Sequence, residues 1–240
     1  MPHVNATYLQ ATPLLDFNTP AIQTLIAEKE WQSLTTSERI GAIYHFVQND
    51  IAFGYNKRDD IAASEVLEDG LGQCNTKATI LMALLRATGI ACRLHGFTID
   101  KRLQKGAITG LLYLLAPRLI IHSWVEVEFD EEWISLEGFI LDNGYLNSVQ
   151  KRFPQATTFS GYAIATKNLQ SPNIAWCGKN TFIQSEGIVD DFGIFDSPDT
   201  FYQAHGNNLK GFKSFLYENF LVFLGGLYLK KVSSFFSIIA

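Results

Sequence analysis

Cys74 stands in Gly72-Gln73-Cys74-Asn75, directly ahead of an apolar run with helical spacing, and His122 opens His122-Ser123-Trp124-Val125-Glu126-Val127. A cysteine at a helix start is placed to ionise, because the helix N-terminus carries about half a positive charge. An imidazole held on a strand can serve such a thiolate as acid and base. If the two meet, the chemistry is acyl transfer or amide cleavage through a thioester. Gly70 and Gly72 allow a tight turn before the cysteine, and backbone N–H groups at such a turn can receive an oxyanion.

Other candidates are poorer. Cys92 lies between Ala91 and Arg93 in an expected strand and reads as core, and Cys177 follows Trp176 in a polar loop with no base nearby. His3 and His205 fall in expected loops, and His45 is flanked by Tyr44 and Phe46 on a helix face. His95, near Cys92, is the competitor to His122. The start of the strand, where a sheet edge faces a cleft, favours His122. Its second ring nitrogen needs an acceptor to fix tautomer and rotation. The returning strand of the same hairpin offers Glu137, with Asp142 as the alternative acid. Asp191-Phe192-Gly193 spells a kinase triplet, but its companion motifs are absent.

The elements that must position these residues follow from periodicity. Residues 1–20 read as an extended arm. A helix over 21–31 begins at Pro20 with Thr19 as its N-cap. A second opens at Thr36-Ser37-Glu38 and presents Ile40, Ile43, Tyr44 and Val47 on one face as far as Asn49-Asp50. Residues 51–55 read as a short extended piece, and 56–73 as a surface loop with one helical turn at 63–68. The cysteine helix runs over 75–88 with Gly89 as its C-cap. Strands are expected at 91–99, at 120–129, alternating from Trp124 onward, and at 133–137. The acidic turn Asp130-Glu131-Glu132 makes the last two a hairpin. Residues 111–115 fit either strand or helix. Residues 143–175 read as polar with scattered aromatics, 176–208 as a long ordered excursion over the surface, and 208–229 as an apolar final helix.

Composition bounds the rest. The 240 residues carry a net charge of −5, with 47% hydrophobic and 18% charged residues, which suits one α+β unit with a full core. No long basic run exists, so nucleic acid is not an expected partner. Three cysteines without a CxxC pair suggest neither a zinc site nor a disulfide framework, and a reducing compartment fits. The N-terminus has no basic and apolar signal pattern, which points to the cytoplasm. The apolar stretch from Phe215 holds Glu218 and Asn219 and is interrupted at Lys230-Lys231. It is short for a membrane span and reads as a docking helix, with attachment to a membrane surface as the alternative.

Gly72-Gln73-Cys74, His122-Ser123-Trp124-Val125-Glu126-Val127 and Trp133-Ile134-Ser135-Leu136-Glu137 together resemble the core of the transglutaminase-like superfamily. The order matches from about residue 36 to 142. The resemblance implies a papain-like α+β arrangement, with N-terminal helices packed on an antiparallel sheet and the active cleft between them. It implies Cys74 as nucleophile, His122 as acid/base and Glu137 as orienting acid, with Gln73 and Trp124 as oxyanion or supporting residues. Glu137-Gly138 departs from the family's usual aspartate, which gives Asp142 some credit. The expected organisation is an arm and helix over 1–35, a catalytic core over 36–145 and a C-terminal extension over 146–240.

The expected activity is cysteine-dependent acyl transfer or amide hydrolysis on a protein, peptide or small acyl donor. The alternative is a non-catalytic peptide-binding module that keeps the fold. No cofactor is implied. No metal is implied either, and no Asp-x-Asp-x-Asp-Gly calcium loop is present.

Overall fold

The computed structural model describes residues 6–208. The expected apolar helix over 208–229 lies outside the described residues but for its first position. Four helices come early: α1 (Pro20–Lys29), α2 (Thr36–Asn49), α3 (Ala63–Asp69) and α4 (Cys74–Ala87). α2 begins with Thr35 and Glu38 in a capping box, where Glu38 accepts from the Thr35 N–H at 3.1 Å. Between helices, β1 (Ala52–Phe53) pairs in parallel with β2 (Leu71–Gly72), and β2 leads straight into α4.

α4 is the central element. Every residue from Cys74 to Arg86 is buried. It packs on α2 and α3 on one side and on the sheet strands β3 (Cys92–Asp100) and β4 (Leu119–Phe129) on the other. A helix enclosed on all sides must satisfy its polar side chains internally. Arg86 donates to the carbonyls of Gln10 at 2.8 Å, Cys92 at 2.9 Å and Asp196. Thr79 bonds back to the Asn75 carbonyl at 3.1 Å.

The main sheet is antiparallel in the order β5-β4-β3-β8, with β5 at Glu132–Leu136 and β8 at Ile188–Phe195. The β4–β5 hairpin turns at Asp130 and Glu131, both with positive φ. Residues 110–115 resolve as a short helix, α5 (Gly110–Leu115). Beyond the hairpin come α6 (Asn143–Arg152), the small pair β6 (Phe159–Gly161) and β7 (Ile164–Thr166), and α7 (Pro198–His205).

Two readings of the sequence need correction. Residues 176–208 are not an excursion over the surface: β8 is the fourth strand of the main sheet, and the segment before it reaches the interior. Nor is β4 half-buried by alternation. His122 to Val127 are all buried, because both faces of this inner strand are covered.

α7 closes over β3 through Phe201, which is fully buried. A Cβ on Gly96 of β3 would fall 2.4 Å from the Phe201 ring. Gly96→Ala should therefore destabilise the protein by about 1–3 kcal/mol through overpacking. The loss should shrink in a Phe201→Ala background. Denaturant unfolding of the two single variants and the double variant measures both, and a Gly96→Ala protein as stable as its parent would sink the packing argument.

Candidate active site

The turn before Cys74 is built without room for a side chain. A Cβ on Gly72 would lie 2.7 Å from Thr76 Oγ1 and 2.9 Å from Lys77 Cγ. Gly70, at φ +63°, ends α3. Residues 56–73 hold more than a surface loop. Asn56 and Asp59 are buried, and with Gln73 and Thr76 they tie the start of α4 to the loop. Thr76 Oγ1 accepts from the Gln73 N–H at 3.1 Å and donates to Asn56 Oδ1 at 2.7 Å. Gln73 Nε2 donates to Asp59 Oδ1 at 2.8 Å, while its Oε1 accepts from the Asn56 N–H at 3.1 Å. Burial pushes the Asp59 carboxyl upward, against the bonds it accepts from Gln73, Asn208 and Asn75.

Asn75 joins the cysteine helix to the histidine strand. Its Nδ2 donates to the Ile121 carbonyl at 3.0 Å and its Oδ1 accepts from Ser123 Oγ at 2.9 Å. The residue after Cys74 is thus bonded to both neighbours of His122. Asn208 braces the same spot: its Oδ1 accepts from the Ile121 N–H at 2.6 Å and its Nδ2 donates to Asp59 at 2.7 Å.

His122 is fully enclosed, although at this point β4 is paired on one flank only. It pairs with Phe97 of β3. β5 does not reach its other flank, because the hairpin register ends at Val125 opposite Leu136. The next residue along, Glu137, turns its side chain into that space. His122 Nε2 lies 2.9 Å from Glu137 Oε1, and both side chains are 0% exposed. The other carboxylate oxygen, Oε2, accepts three consecutive backbone N–H groups, from Ile183 at 2.8 Å, Gln184 at 2.9 Å and Ser185 at 3.1 Å. The Glu137 N–H donates to the Thr181 carbonyl at 3.0 Å.

With Nε2 committed to Glu137, Nδ1 is the ring nitrogen left for the cysteine, whose charge acts on the imidazole. Nδ1 has no hydrogen-bond partner among the described residues. Burial alone would lower the imidazole, but the charge and hydrogen-bonding capacity of Cys74, together with Glu137, outweigh it and raise His122 to about 10. Cys74 is 6% exposed and borders a cleft also lined by Phe53, Tyr55, Ile108, Ile120 and Gln184.

The remaining candidates from the sequence lie elsewhere. Asp142 caps α6, accepting from the Tyr145 N–H at 2.7 Å and the Phe53 N–H at 2.9 Å, and makes no bond to His122. Trp124 packs 4.1 Å from Phe97 and 6.5 Å from His122, centroid to centroid, and does not line the cleft. Gln73 lines the cleft, but its side chain is tied into the Asp59 network and caps the Thr76 N–H; the Cys74 and Asn75 N–H groups, at the first two positions of α4, have no intrahelical acceptor. His95 bridges Glu126 at 2.9 Å and Asp191 at 2.8 Å, so both its nitrogens are occupied. Cys92 is buried against the Met82 carbonyl, and burial pushes its thiol to about 11 against Arg86. Among the described residues no His, Cys, Asp or Glu group is arranged to hold a metal, and no helix is long and apolar enough to cross a membrane.

Sequence reasoning missed the Thr181–Ser185 clamp, Asn75, Asp59 and Lys77. Lys77 sits in the first turn of α4, fully buried, and donates to the Gln48 carbonyl at 3.1 Å. Burial lowers it to about 7, against the attraction of Asp142.

Residues 24–138 match the Transglutaminase-like superfamily. Over these residues, just under half of the chain, it is similar to that superfamily. The matched segment contains Cys74, His122 and Glu137 but not the clamp on Glu137. The fold is similar to that of a candidate cysteine protease from Cytophaga hutchinsonii, with a TM-score of 0.44 and 17% identity over 61% of this chain and 47% of that one. It is also similar to red sea bream transglutaminase, with a TM-score of 0.31 and 17% identity over 51% of this chain and 25% of that one. The chain therefore spans less than half the length of either solved structure. No curated protein matches it.

His122 and Lys77 bias stability in opposite directions with pH. The folded state holds the His122 proton up to about pH 10, whereas an unfolded histidine releases it near 6.5. That contribution is complete below 6.5 and is lost as pH rises. Folded Lys77 releases its proton near 7 and an unfolded lysine near 10.5, so its penalty is relieved over nearly the same range. Lys77→Met removes the Lys77 contribution, so the variant should lose stability relative to the parent as pH rises from 7 to 9. Urea unfolding at pH 7, 8 and 9 reads it, and parallel curves for parent and variant would refute the assignment.

Proposed function

We propose that the protein is a cysteine acyltransferase or amidase that works through a thioester on Cys74. The observation that carries this reading is the orientation of His122, whose Nε2 is held by Glu137 while Nδ1 is left for Cys74 at the start of α4. The Cys74 thiolate attacks an acyl carbonyl bound in the cleft. The developing oxyanion is received by first-turn N–H groups of α4. The His122 imidazolium gives its Nδ1 proton to the departing amine, and the tetrahedral adduct collapses to the thioester. The neutral ring then takes a proton from water or an incoming amine, which releases the acyl group and restores the thiolate–imidazolium pair. Glu137 acts through His122 as a positioning residue.

Cys74→Ala should abolish turnover, and His122→Ala should lower it by about 10² to 10⁴. Thiol labelling tests the pair without a substrate. At pH 7 iodoacetamide should modify Cys74 and exposed Cys177 but spare Cys92. His122→Ala should slow labelling of Cys74 by about tenfold or more, with Cys177 unchanged. Intact-mass and peptide mass spectrometry give the site and the rate. A Cys74 that labels equally fast with and without His122 favours the peptide-binding module.

A further inference from the structure

Gln184 carries a polar atom that neither the fold nor the proposed mechanism uses. It is 1% exposed and borders the cleft that holds Cys74. Its backbone N–H belongs to the Glu137 clamp, which fixes the residue beside His122. Its Nε2 donates to the Ala163 carbonyl at 2.6 Å. Because Ala163 offers only an acceptor, the carboxamide cannot be flipped, and the oxygen must point the other way. That oxygen, Oε1, is buried without a partner among the described residues. An unpaired buried acceptor is costly, so such a group at a ligand cleft calls for a donor from the ligand.

We propose that Gln184 Oε1 accepts a hydrogen bond from an N–H next to the reacting carbonyl, and so selects amide acyl donors over esters and thioesters. This rests on the reading of Cys74 as the nucleophile. An amide nitrogen with a hydrogen satisfies the orphaned acceptor. An ester or thioester presents a lone pair to it and leaves it unpaired. The rest of the wall is suited to an acyl chain of low polarity, through Phe53, Ile108 and Ile120.

Two alkylating agents of the same shape test the idea on the intact protein. N-methyl iodoacetamide carries an N–H donor, whereas methyl iodoacetate replaces it with an ester oxygen. In both, the thiolate forms a C–S bond as iodide leaves. The Cys74 rate ratio, amide over ester, should exceed that of glutathione by about tenfold. In Gln184→Met, which keeps bulk but no acceptor, the ratio should fall to the glutathione value. A wild-type ratio equal to that of glutathione overturns the proposal even if the variant fails to fold. A raised ratio that survives in folded Gln184→Met assigns the preference to another group and overturns it too. If neither reagent modifies Cys74, the nucleophile reading fails and this inference falls with it. If both modify it without preference, only this inference fails.

Discussion

A carboxylate sealed from water is costly unless each oxygen is met by donors. Glu137 meets that condition by drawing four partners around itself: the imidazole on one oxygen and three successive backbone N–H groups on the other. Much of the surrounding architecture serves this arrangement. The hairpin must end at Leu136 so that the next side chain can turn inward. The chain must return from residue 152 to 181 to bring Ile183, Gln184 and Ser185 against it. Tyr44 of α2 donates to the Ile174 carbonyl at 2.7 Å, and its hydroxyl is also hydrogen-bonded to the Thr181 hydroxyl at 3.2 Å, which fastens that returning segment to the helical layer.

A second constraint sets cysteine against histidine. Neither side chain is held by the other alone. Asn75 does this work through the main chain and Ser123, binding on both sides of His122 while standing next to Cys74. Helix and strand are therefore locked in register by groups that take no part in the chemistry, and a small shift of α4 along its axis would break two hydrogen bonds. This accounts for the polar first turn of an otherwise apolar helix. Asn75, Thr76 and Lys77 are each bonded to a different neighbouring element, and together they fix where the helix begins.

The local part of this design was legible in the sequence. Gly72-Gln73-Cys74, the long strand at His122 and the hairpin return to Glu137 are contiguous patterns, each with its own periodicity or turn chemistry. The α+β layering followed from them. What stayed hidden is carried by backbone groups or by distant segments. Ile183 and Ser185 hold Glu137 with their N–H groups, which any residue but proline could supply, so their side chains give no sign of it. β8 was missed because only its neighbour β3 makes it a strand; Val189, Asp190 and Asp191 show no alternation that marks one face. α6 was obscured by its low apolar content, and the acid that caps it, Asp142, looked like a free candidate for His122 until its two backbone donors were placed.

β8 also has a bearing on how copies of this molecule behave when crowded together. Among the described residues it is the outer strand of the main sheet, and an outer strand presents a row of backbone groups of the kind that recruits another chain. Two features blunt that invitation. The register with β3 shifts twice, between Gly96 and Phe97 and between Thr98 and Ile99, which bends the ribbon away from flatness. Asp190 and Asp191 place carboxylates along it, tied to Thr98 and His95, so a second copy meeting it edge to edge would bring like charges together. The strand that completes the sheet is shaped to refuse a fifth, and the fold guards itself against aggregation at the place where it would otherwise be most inviting.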